Sequence, residues 1–156
     1  MLNRSTLILL FLVSSCALAQ EGDLPPLDEA FEKRVLVIET SENGCYRFDV
    51  HIALTIDQQR RGLMFVREMD PFAGMLFIYR NPNIKSMWMK NTYIPLDILF
   101  ARLDGQVSSI AKNTEPLSLK SIASTEPVAF VLELNAGTSD RLGIDENSRL
   151  VVEGLN

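Results

Sequence analysis

The chain has 156 residues, a formal net charge of −5 and a hydrophobic fraction of 47%. This length suits one domain, and the apolar content is sufficient for a hydrophobic core. The acidic balance is opposite in sign to the basic patches that bind nucleic acids, and it disfavours electrostatic attachment to anionic lipid.

The first 19 residues have the features of a secretory signal peptide. Arg4 supplies a positive charge, and residues 7–13 form an apolar run that is too short to span a bilayer. Ala17-Leu18-Ala19 matches the small-x-small pattern of a cleavage site. We therefore predict that residues 1–19 are removed, that Gln20 is the first mature residue, and that the protein is periplasmic or secreted.

An alternative form of export is a lipoprotein. Residues 13–16 (VSSC) resemble a lipoprotein box, in which Cys16 would be lipidated and only acyl chains would hold the domain to the envelope. After either cleavage, Cys45 has no thiol partner within the chain, so no internal disulfide is expected. Cys45 is predicted to be a small buried or turn residue, since a catalytic thiol needs a base and His51 is the only candidate.

Residues 20–34 contain Pro25-Pro26, several acids and few large apolar side chains. This composition predicts a flexible acidic linker, followed by a single globular domain over residues 35–156.

The first elements of the domain are two strands and a short helix. Residues 35–39 and 46–54 predict strands that are separated by the turn dipeptide Asn43-Gly44. A capping box that starts at Thr55 predicts a helix over residues 56–61, which Gly62 ends. Period-two alternation in the second strand predicts that Tyr46, Phe48, Val50, Ile52 and Leu54 face the core and that Arg47, Asp49, His51 and Ala53 face solvent.

The rest of the sequence also consists of short apolar runs that are separated by turn residues. Asp104-Gly105 predicts a hairpin turn, and residues 136–142 predict a second short helix that Gly143 ends. The predicted strands span residues 74–79, 86–89, 96–103, 106–111, 128–135 and 149–153. We expect an α+β fold that is mainly antiparallel β, as a small barrel-like or sandwich-like single domain with two short helices.

Four segments resemble one known family. They are residues 61–65 (RGLMF), 74–77 (GMLF), 88–98 (WMKNTYIPLDI) and 133–137 (ELNAG), the last followed by Leu-Gly-Ile at 142–144. Together they are similar to the domain of unknown function 192 (DUF192) over roughly residues 35–152. The resemblance implies a compact β-rich fold whose biochemical role is unassigned.

The densest group of polar side chains lies in residues 88–97, beside a proline that favours extended backbone before it. As a ligand cleft, Trp88 would stack on a ligand, Lys90 and Asn91 would hydrogen-bond to it, and Asp97 would orient Lys90. As structure, Trp88 would belong to the core, Asn91-Thr92 would form a turn, and Lys90 would pair with a buried Asp97. Both interpretations remain open.

Other charged residues allow further interpretations. Arg61, at a helix end, would bind a ligand phosphate or carboxylate, or would pair with Asp57 at helical spacing. Glu133 and Asp97 would suit a glycosidase only if their carboxyl groups face each other across a cleft.

The sequence also allows a copper site and an acid–base pair. Met87, Met89 and His51 are ligand types that suit Cu(I), although methionine as core filler is the simpler interpretation. His51 beside Asp49 on one strand is more typical of an exposed polar face than of an acid–base pair.

We therefore expect an accessory domain of the envelope or periplasm that binds a small molecule or glycan. The alternative is a structural or protein-interaction accessory without a small-molecule ligand; a hydrolase or a Cu(I)-binding protein ranks below both. We assign no catalytic residue, metal ligand or cofactor, and expect no nucleic-acid partner and no membrane partner unless Cys16 is lipidated. The candidate ligand-binding residues are Arg61, Trp88, Lys90, Asn91, Asp97 and Glu133.

Overall fold

The computed structural model describes residues 24–152. The predicted signal peptide, Cys16 and the expected mature start at Gln20 therefore lie outside the described residues. The helices of the described part are α1 (Leu27–Ala30), α2 (Ile56–Arg61) and α3 (Thr138–Leu142). Its strands are β1 (Glu32–Glu39), β2 (Cys45–Ala53), β3 (Ala73–Asn83), β4 (Ser86–Met87), β5 (Leu96–Ala101), β6 (Val107–Ala111), β7 (Ile122–Ala123), β8 (Val128–Asn135) and β9 (Arg149–Val152).

One curled sheet organises the domain. Its seven strands follow the order β6-β5-β8-β3-β2-β1-β9, and all neighbours are antiparallel except β2 and β3, which are parallel. An isolated bridge between Gln106 and Arg149 joins the two ends of the sheet, and β4 pairs with β7 in a separate small ribbon. The predicted α+β, mainly antiparallel fold is confirmed, with the sheet curled into a half-barrel.

Apolar side chains fill both faces of this sheet. Alternation along β3 places Leu76 in the cluster inside the curl, while Met75 and Phe77 belong to the cluster on the outer face. The inner cluster also contains Leu36, Phe48, Leu99, Leu132 and Leu150, and the outer cluster also contains Phe31, Leu63, Met89, Ile98 and Val131. Because both faces are covered, polar side chains on the outer face become buried.

The predicted start of α2 is confirmed in detail. The Thr55 hydroxyl accepts a hydrogen bond from the Gln58 backbone N–H at 3.2 Å, and Gln58 Oε1 accepts from the Thr55 N–H at 3.0 Å. Gly62 ends the helix with a φ of 49°, and a side chain there would meet the Phe77 ring at 3.2 Å. The capping box and this glycine fix the chain direction immediately before and after α2.

The predicted exposure of β2 is wrong at several positions. His51 and Ala53 are buried rather than solvent-facing, because Phe31 and Leu63 cover the outer face of the sheet. Leu54 follows the strand and is 51% exposed rather than in the core. Cys45 is exposed at the first position of β2 and is not a buried residue.

The folded domain begins earlier than the predicted boundary at residue 35. Helix α1 and the first residues of β1 lie in the predicted linker, and Phe31 is only 3% exposed. The Gln58 side-chain amide donates a hydrogen bond to the Ala30 carbonyl at 3.0 Å, which ties this segment to α2. None of the helices within residues 24–152 is long and apolar enough to cross a membrane.

Candidate functional site

A cleft opens on the outer face of the sheet, between α2, β3, β8 and residues 86–92. Its volume is about 100 Å³. A wider hollow of about 540 Å³ adjoins it and shares Arg60, Met64, Trp88 and Lys90. The cleft, here called the Glu133 cleft, is lined by Arg60, Arg61, Phe77, Tyr79, Trp88, Lys90 and Glu133, together with neighbouring residues of α2 and β4.

Glu133 is the ionisable group at the floor of this cleft. It pairs in register with Met75 on β3 and with Ile98 on β5, which places its side chain on the outer face. The side chain is 4% exposed, and no other residue within 24–152 forms a hydrogen bond or ion pair with its carboxyl group. Burial raises the pKa of Glu133 to about 8, so the carboxyl group is mostly protonated at neutral pH.

Tyr79 adds a second neutral polar group. Burial, and secondarily the charge of Glu133, raises the pKa of Tyr79 to about 12, so its phenol remains protonated. The Tyr79 hydroxyl donates to Met87 Sδ over 3.9 Å, a long contact to a weak acceptor. Tyr79 was not among the predicted site residues, although period-two alternation from Met75 through Phe77 places it on the same face of β3.

Lys90 and Trp88 form part of the rim. Lys90 is exposed, and its ammonium group lies 5.1 Å from the centre of the Trp88 ring. Lys90 makes no ion pair with any residue in the described part of the chain. Trp88 is 49% exposed, so the interpretation of Trp88 as a core residue is wrong, while its neighbours Met87 and Met89 are buried.

Arg61 reaches from the cleft to the N-terminal segment. Its Nη2 group donates to the Pro25 carbonyl, and its guanidinium lies 5.3 Å from the centre of the Phe31 ring. Arg61 Nε is buried without a hydrogen-bond partner in the described structure, and burial lowers the pKa of this residue. The expected pairing with Asp57 is wrong, since Asp57 lies 3.8 Å from Arg60 instead.

Asn91 forms the turn that shapes the rim. Its φ is 55°, a left-handed conformation that asparagine tolerates better than most residues. Its carbonyl accepts a hydrogen bond from the Phe65 N–H at 2.7 Å, and its side-chain amide makes a long contact of 3.9 Å with Met64 Sδ. Asn91 therefore holds the segment after Trp88 against the segment after α2, and it does not line the cleft.

Asp97 is held by backbone groups and is not in the cleft. Its two carboxylate oxygens accept hydrogen bonds from the Asn113 N–H at 2.9 Å and from the Ser139 N–H at 2.8 Å. Both expected pairings of Asp97 with Lys90 are therefore wrong. A glycosidase pair with Glu133 is also wrong, because Asp97 aligns with Leu134 and so faces away from Glu133 across the sheet.

A separate hollow of about 980 Å³ lies beside His51. His51 Nε2 lies 2.9 Å from Asp28, and Lys33 Nζ lies 2.7 Å from the same carboxylate, which lowers the pKa of Asp28. The carboxylate of Asp49, the residue that an acid–base pair with His51 would require, lies 3.4 Å from Arg47 instead. His51 Nδ1 is also buried without a hydrogen-bond partner among the described residues. We favour the Glu133 cleft because it combines a carboxyl group that has no hydrogen-bond partner among the described residues with exposed cationic and aromatic side chains.

The geometry also separates the groups that were considered for copper. Met87 lines the Glu133 cleft, whereas His51 lines the hollow beside Asp28. Met89 Sδ accepts a hydrogen bond from the Thr114 hydroxyl at 3.2 Å within the core. No group of three or more histidine, cysteine or acidic residues within 24–152 is arranged to hold a metal ion.

The family model DUF192, described as "Uncharacterized ACR", matches residues 37–152. A solved structure of a proposed transcription regulator from Sinorhizobium meliloti is 43% identical, covers 80% of this chain and 96% of its own, and has a TM-score of 0.78. A protein of unknown function from Novosphingobium aromaticivorans is 33% identical, covers 78% and 86%, and has a TM-score of 0.75. No curated protein matches the sequence.

Proposed function

This chain belongs to the DUF192 family, whose role is uncharacterised, and we propose that its domain binds a small polar ligand in the Glu133 cleft. The observation that carries the proposal is Glu133, a residue that is 4% exposed and whose carboxyl group has no hydrogen-bond partner among the described residues. Buried polar groups are nearly always hydrogen-bonded, and an unsatisfied one costs about 1–3 kcal/mol. A bound ligand would supply the missing partner.

The composition of the rim supports the same function. Lys90 and Arg60 bring two exposed positive groups to the cleft in a chain whose net charge is −5, whereas the guanidinium of Arg61 is held by the Pro25 carbonyl. Trp88 presents a half-exposed aromatic surface beside them. A few convergent polar groups beside an aromatic wall are typical of ligand pockets.

The segments that resemble the family meet at this cleft. Residues 61–65 contribute Arg61, residues 74–77 contribute Phe77, and residues 88–98 contribute Trp88 and Lys90. Residues 133–137 contribute Glu133. Each of the four segments therefore contributes at least one residue to the lining of the cleft, although Asn91, Asp97 and residues 142–144 of the same segments lie outside it.

We propose that the domain acts in the periplasm or outside the cell, as the signal-peptide pattern of residues 1–19 indicates, with lipidation of Cys16 as the alternative. The S. meliloti relative is described as a proposed transcription regulator, but the acidic composition of this chain disfavours nucleic-acid binding. We do not propose a glycosidase, since Asp97 is unavailable as a second carboxylate opposite Glu133.

The second candidate is an accessory domain that docks a protein. Ile56 and Leu119, two exposed apolar side chains, lie beside Trp88 in the hollows that adjoin the cleft. A protein partner would cover all three side chains together. Substitution of Ile56 or Leu119 would then weaken binding as strongly as substitution of Lys90, whereas a small ligand held in the cleft would depend mainly on Lys90 and Glu133.

A thermal-shift screen against sugars, sugar acids, peptides and nucleotides tests the proposed function. A compound that binds only the folded state raises the Tm. The shift should be lost in Lys90→Ala and Trp88→Ala and retained in Lys120→Ala, since Lys120 is exposed and does not line these hollows. The proposal fails if no compound raises the Tm, or if every shift survives both cleft substitutions.

A further inference from the structure

We propose that the Glu133 cleft recognises an acidic sugar, with ligand hydroxyl groups at the floor and a ligand carboxylate at the Lys90 and Arg60 rim. This inference rests on the proposed function and specifies its ligand. Two features carry it: the floor offers neutral groups that donate and accept hydrogen bonds, and the positive charges are confined to the rim.

The floor suits hydroxyl groups. Its volume of about 100 Å³ corresponds to roughly three water molecules at about 30 Å³ each, which is enough for the edge of a sugar ring but not for a second ring. The protonated Glu133 carboxyl group both donates and accepts hydrogen bonds, and Tyr79 donates from a hydroxyl whose only partner in the described structure is a distant sulfur. A sugar hydroxyl likewise donates and accepts.

The rim suits a carboxylate. Lys90 makes no ion pair with a described residue, and Arg60 is 79% exposed with only a long contact of 3.8 Å to Asp57. Both cations are exposed, whereas Glu133 is only 4% exposed and lines the same cleft. The positive groups therefore lie at the outer edge of the cleft and the carboxyl group at its inner end, so a ligand that contacts both has to extend along the cleft.

The hollow beside Trp88 provides space for the part of the ligand that the cleft does not hold. The hollow of about 540 Å³ shares Trp88 and Lys90 with the cleft, and it is large enough for a sugar ring outside the floor. The indole provides an apolar surface against which the C–H face of a pyranose ring can pack. The hollow therefore has room for a further sugar ring of an oligosaccharide.

Simpler ligands leave part of this site unused. Inorganic phosphate would engage Lys90 and Arg60 but would leave Glu133 without a partner. A neutral sugar would engage Glu133 and Tyr79 but would leave Lys90 unpaired. An acidic sugar satisfies both regions together.

The test is a fluorescence titration of the purified protein, which reports on the cleft directly because Trp88 is the only tryptophan in the chain. The probes are glucuronate, galacturonate and N-acetylmuramate oligosaccharides, each compared with its neutral parent built from glucose, galactose or N-acetylglucosamine. At least one acidic probe should bind about tenfold or more tightly than its parent, since one paired charge contributes roughly 1.4 kcal/mol or more.

Two variants separate the rim from the floor. Lys90→Gln should reduce the preference for the acidic probe over its neutral parent severalfold, since only Arg60 then remains to pair with the carboxylate, while the affinity for the parent is unchanged. Glu133→Leu should weaken both, because leucine neither donates nor accepts a hydrogen bond. Lys112→Gln, at an exposed position that lines neither the cleft nor the hollows beside it, should match the wild type.

Equal affinity for acidic and neutral probes, or an affinity for acidic probes that Lys90→Gln does not change, would overturn the inference. Inorganic phosphate that competes as strongly as the acidic sugars would overturn it in favour of a general anion site. If no sugar binds while another compound from the thermal-shift screen depends on Trp88 and Lys90, the inference fails and the proposed function stands.

Discussion

Glu133 and Asp97 lie on neighbouring strands, one register position apart, yet their carboxyl groups occupy opposite faces of the sheet. Asp97 accepts two backbone hydrogen bonds and is fully buried, whereas Glu133 has no partner in the described structure and lies in a cleft. Two acids that are close in space thus have different chemical roles: one fixes loops, and the other is available to a ligand.

Asp97→Asn should destabilise the protein. Asparagine keeps one acceptor oxygen and turns an NH₂ group toward one of the two N–H donors that Asp97 now satisfies, so that donor loses its partner. Since hydrogen bonds to charged groups contribute about 1.5–3 kcal/mol each, we expect a loss of about 2–4 kcal/mol in urea unfolding. Asp70→Asn, at an exposed position, is the control and should stay near the wild type. A loss in Asp97→Asn no larger than in that control would mean that the two backbone contacts are not formed.

Glu133→Gln should change how stability depends on pH. The pKa of Glu133 is raised from 4.5 to about 8 in the folded protein, so the folded state binds more protons than the unfolded state between these values. Stability from this group is fully present below pH 4.5 and is lost as the pH rises toward 8. The variant lacks this loss and should be more stable than the wild type at pH 8, by on the order of a few kcal/mol, with little difference at pH 4.5.

Urea unfolding at pH 4.5, 6 and 8 measures this effect. Glu115→Gln is the matched control, because the Glu115 side chain is exposed in the folded protein and should not change the pH profile. Parallel pH profiles for Glu133→Gln and the wild type would show that the Glu133 carboxyl group is not buried as described.

Lys90→Ala and Trp88→Ala should fold almost as stably as the wild type. Lys90 is exposed and its contact in the described structure is with the Trp88 ring, an interaction that contributes about 0.5–1 kcal/mol at exposed sites. We expect Lys90→Ala to lose no more than about 1 kcal/mol in urea unfolding. A loss of about 3 kcal/mol or more would assign Lys90 a structural role that the described contacts do not include.

Arg61→Ala should loosen the segment before β1. It removes the hydrogen bond to the Pro25 carbonyl and the contact with the Phe31 ring, and we expect a loss of about 1.5–3 kcal/mol. Hydrogen exchange at the Phe31 N–H should accelerate, since this group bonds to Leu27 within α1. The neighbouring Arg60→Ala should cost about 0.5 kcal/mol or less and leave that exchange unchanged. Equal effects of the two substitutions would contradict the anchoring role of Arg61.

Local sequence signals predicted much of the fold. The capping box at Thr55 predicted the start of α2, and the apolar run at residues 128–135 matches the bounds of β8. Such signals depend on neighbouring residues alone, so they can be read without knowledge of the tertiary structure. The same reason explains why they gave no indication that β2 and β3 pair in parallel.

The predictions that were wrong depend on tertiary contacts, which local sequence signals do not report. Alternation predicts which residues of β2 share a face, but it cannot show that Phe31 covers His51. The partners of Asp97 are backbone N–H groups that are 16 and 42 residues away. Because every residue except proline has such a group, the sequence does not indicate which of them bind Asp97. Of the six candidate residues, the structure gathers Arg61, Trp88, Lys90 and Glu133 around one cleft and places Asn91 and Asp97 outside it.

The central claim is that a ligand binds in the Glu133 cleft. The direct measurement is a ¹H–¹⁵N spectrum of the protein during titration with the acidic oligosaccharides. If the ligand binds there, the amide signals whose chemical shifts change should be confined to residues 59–64, 77–79, 86–92 and 133. Shifts centred on Asp28, Lys33 and His51 at the larger hollow, with the Glu133 region unchanged, would contradict it.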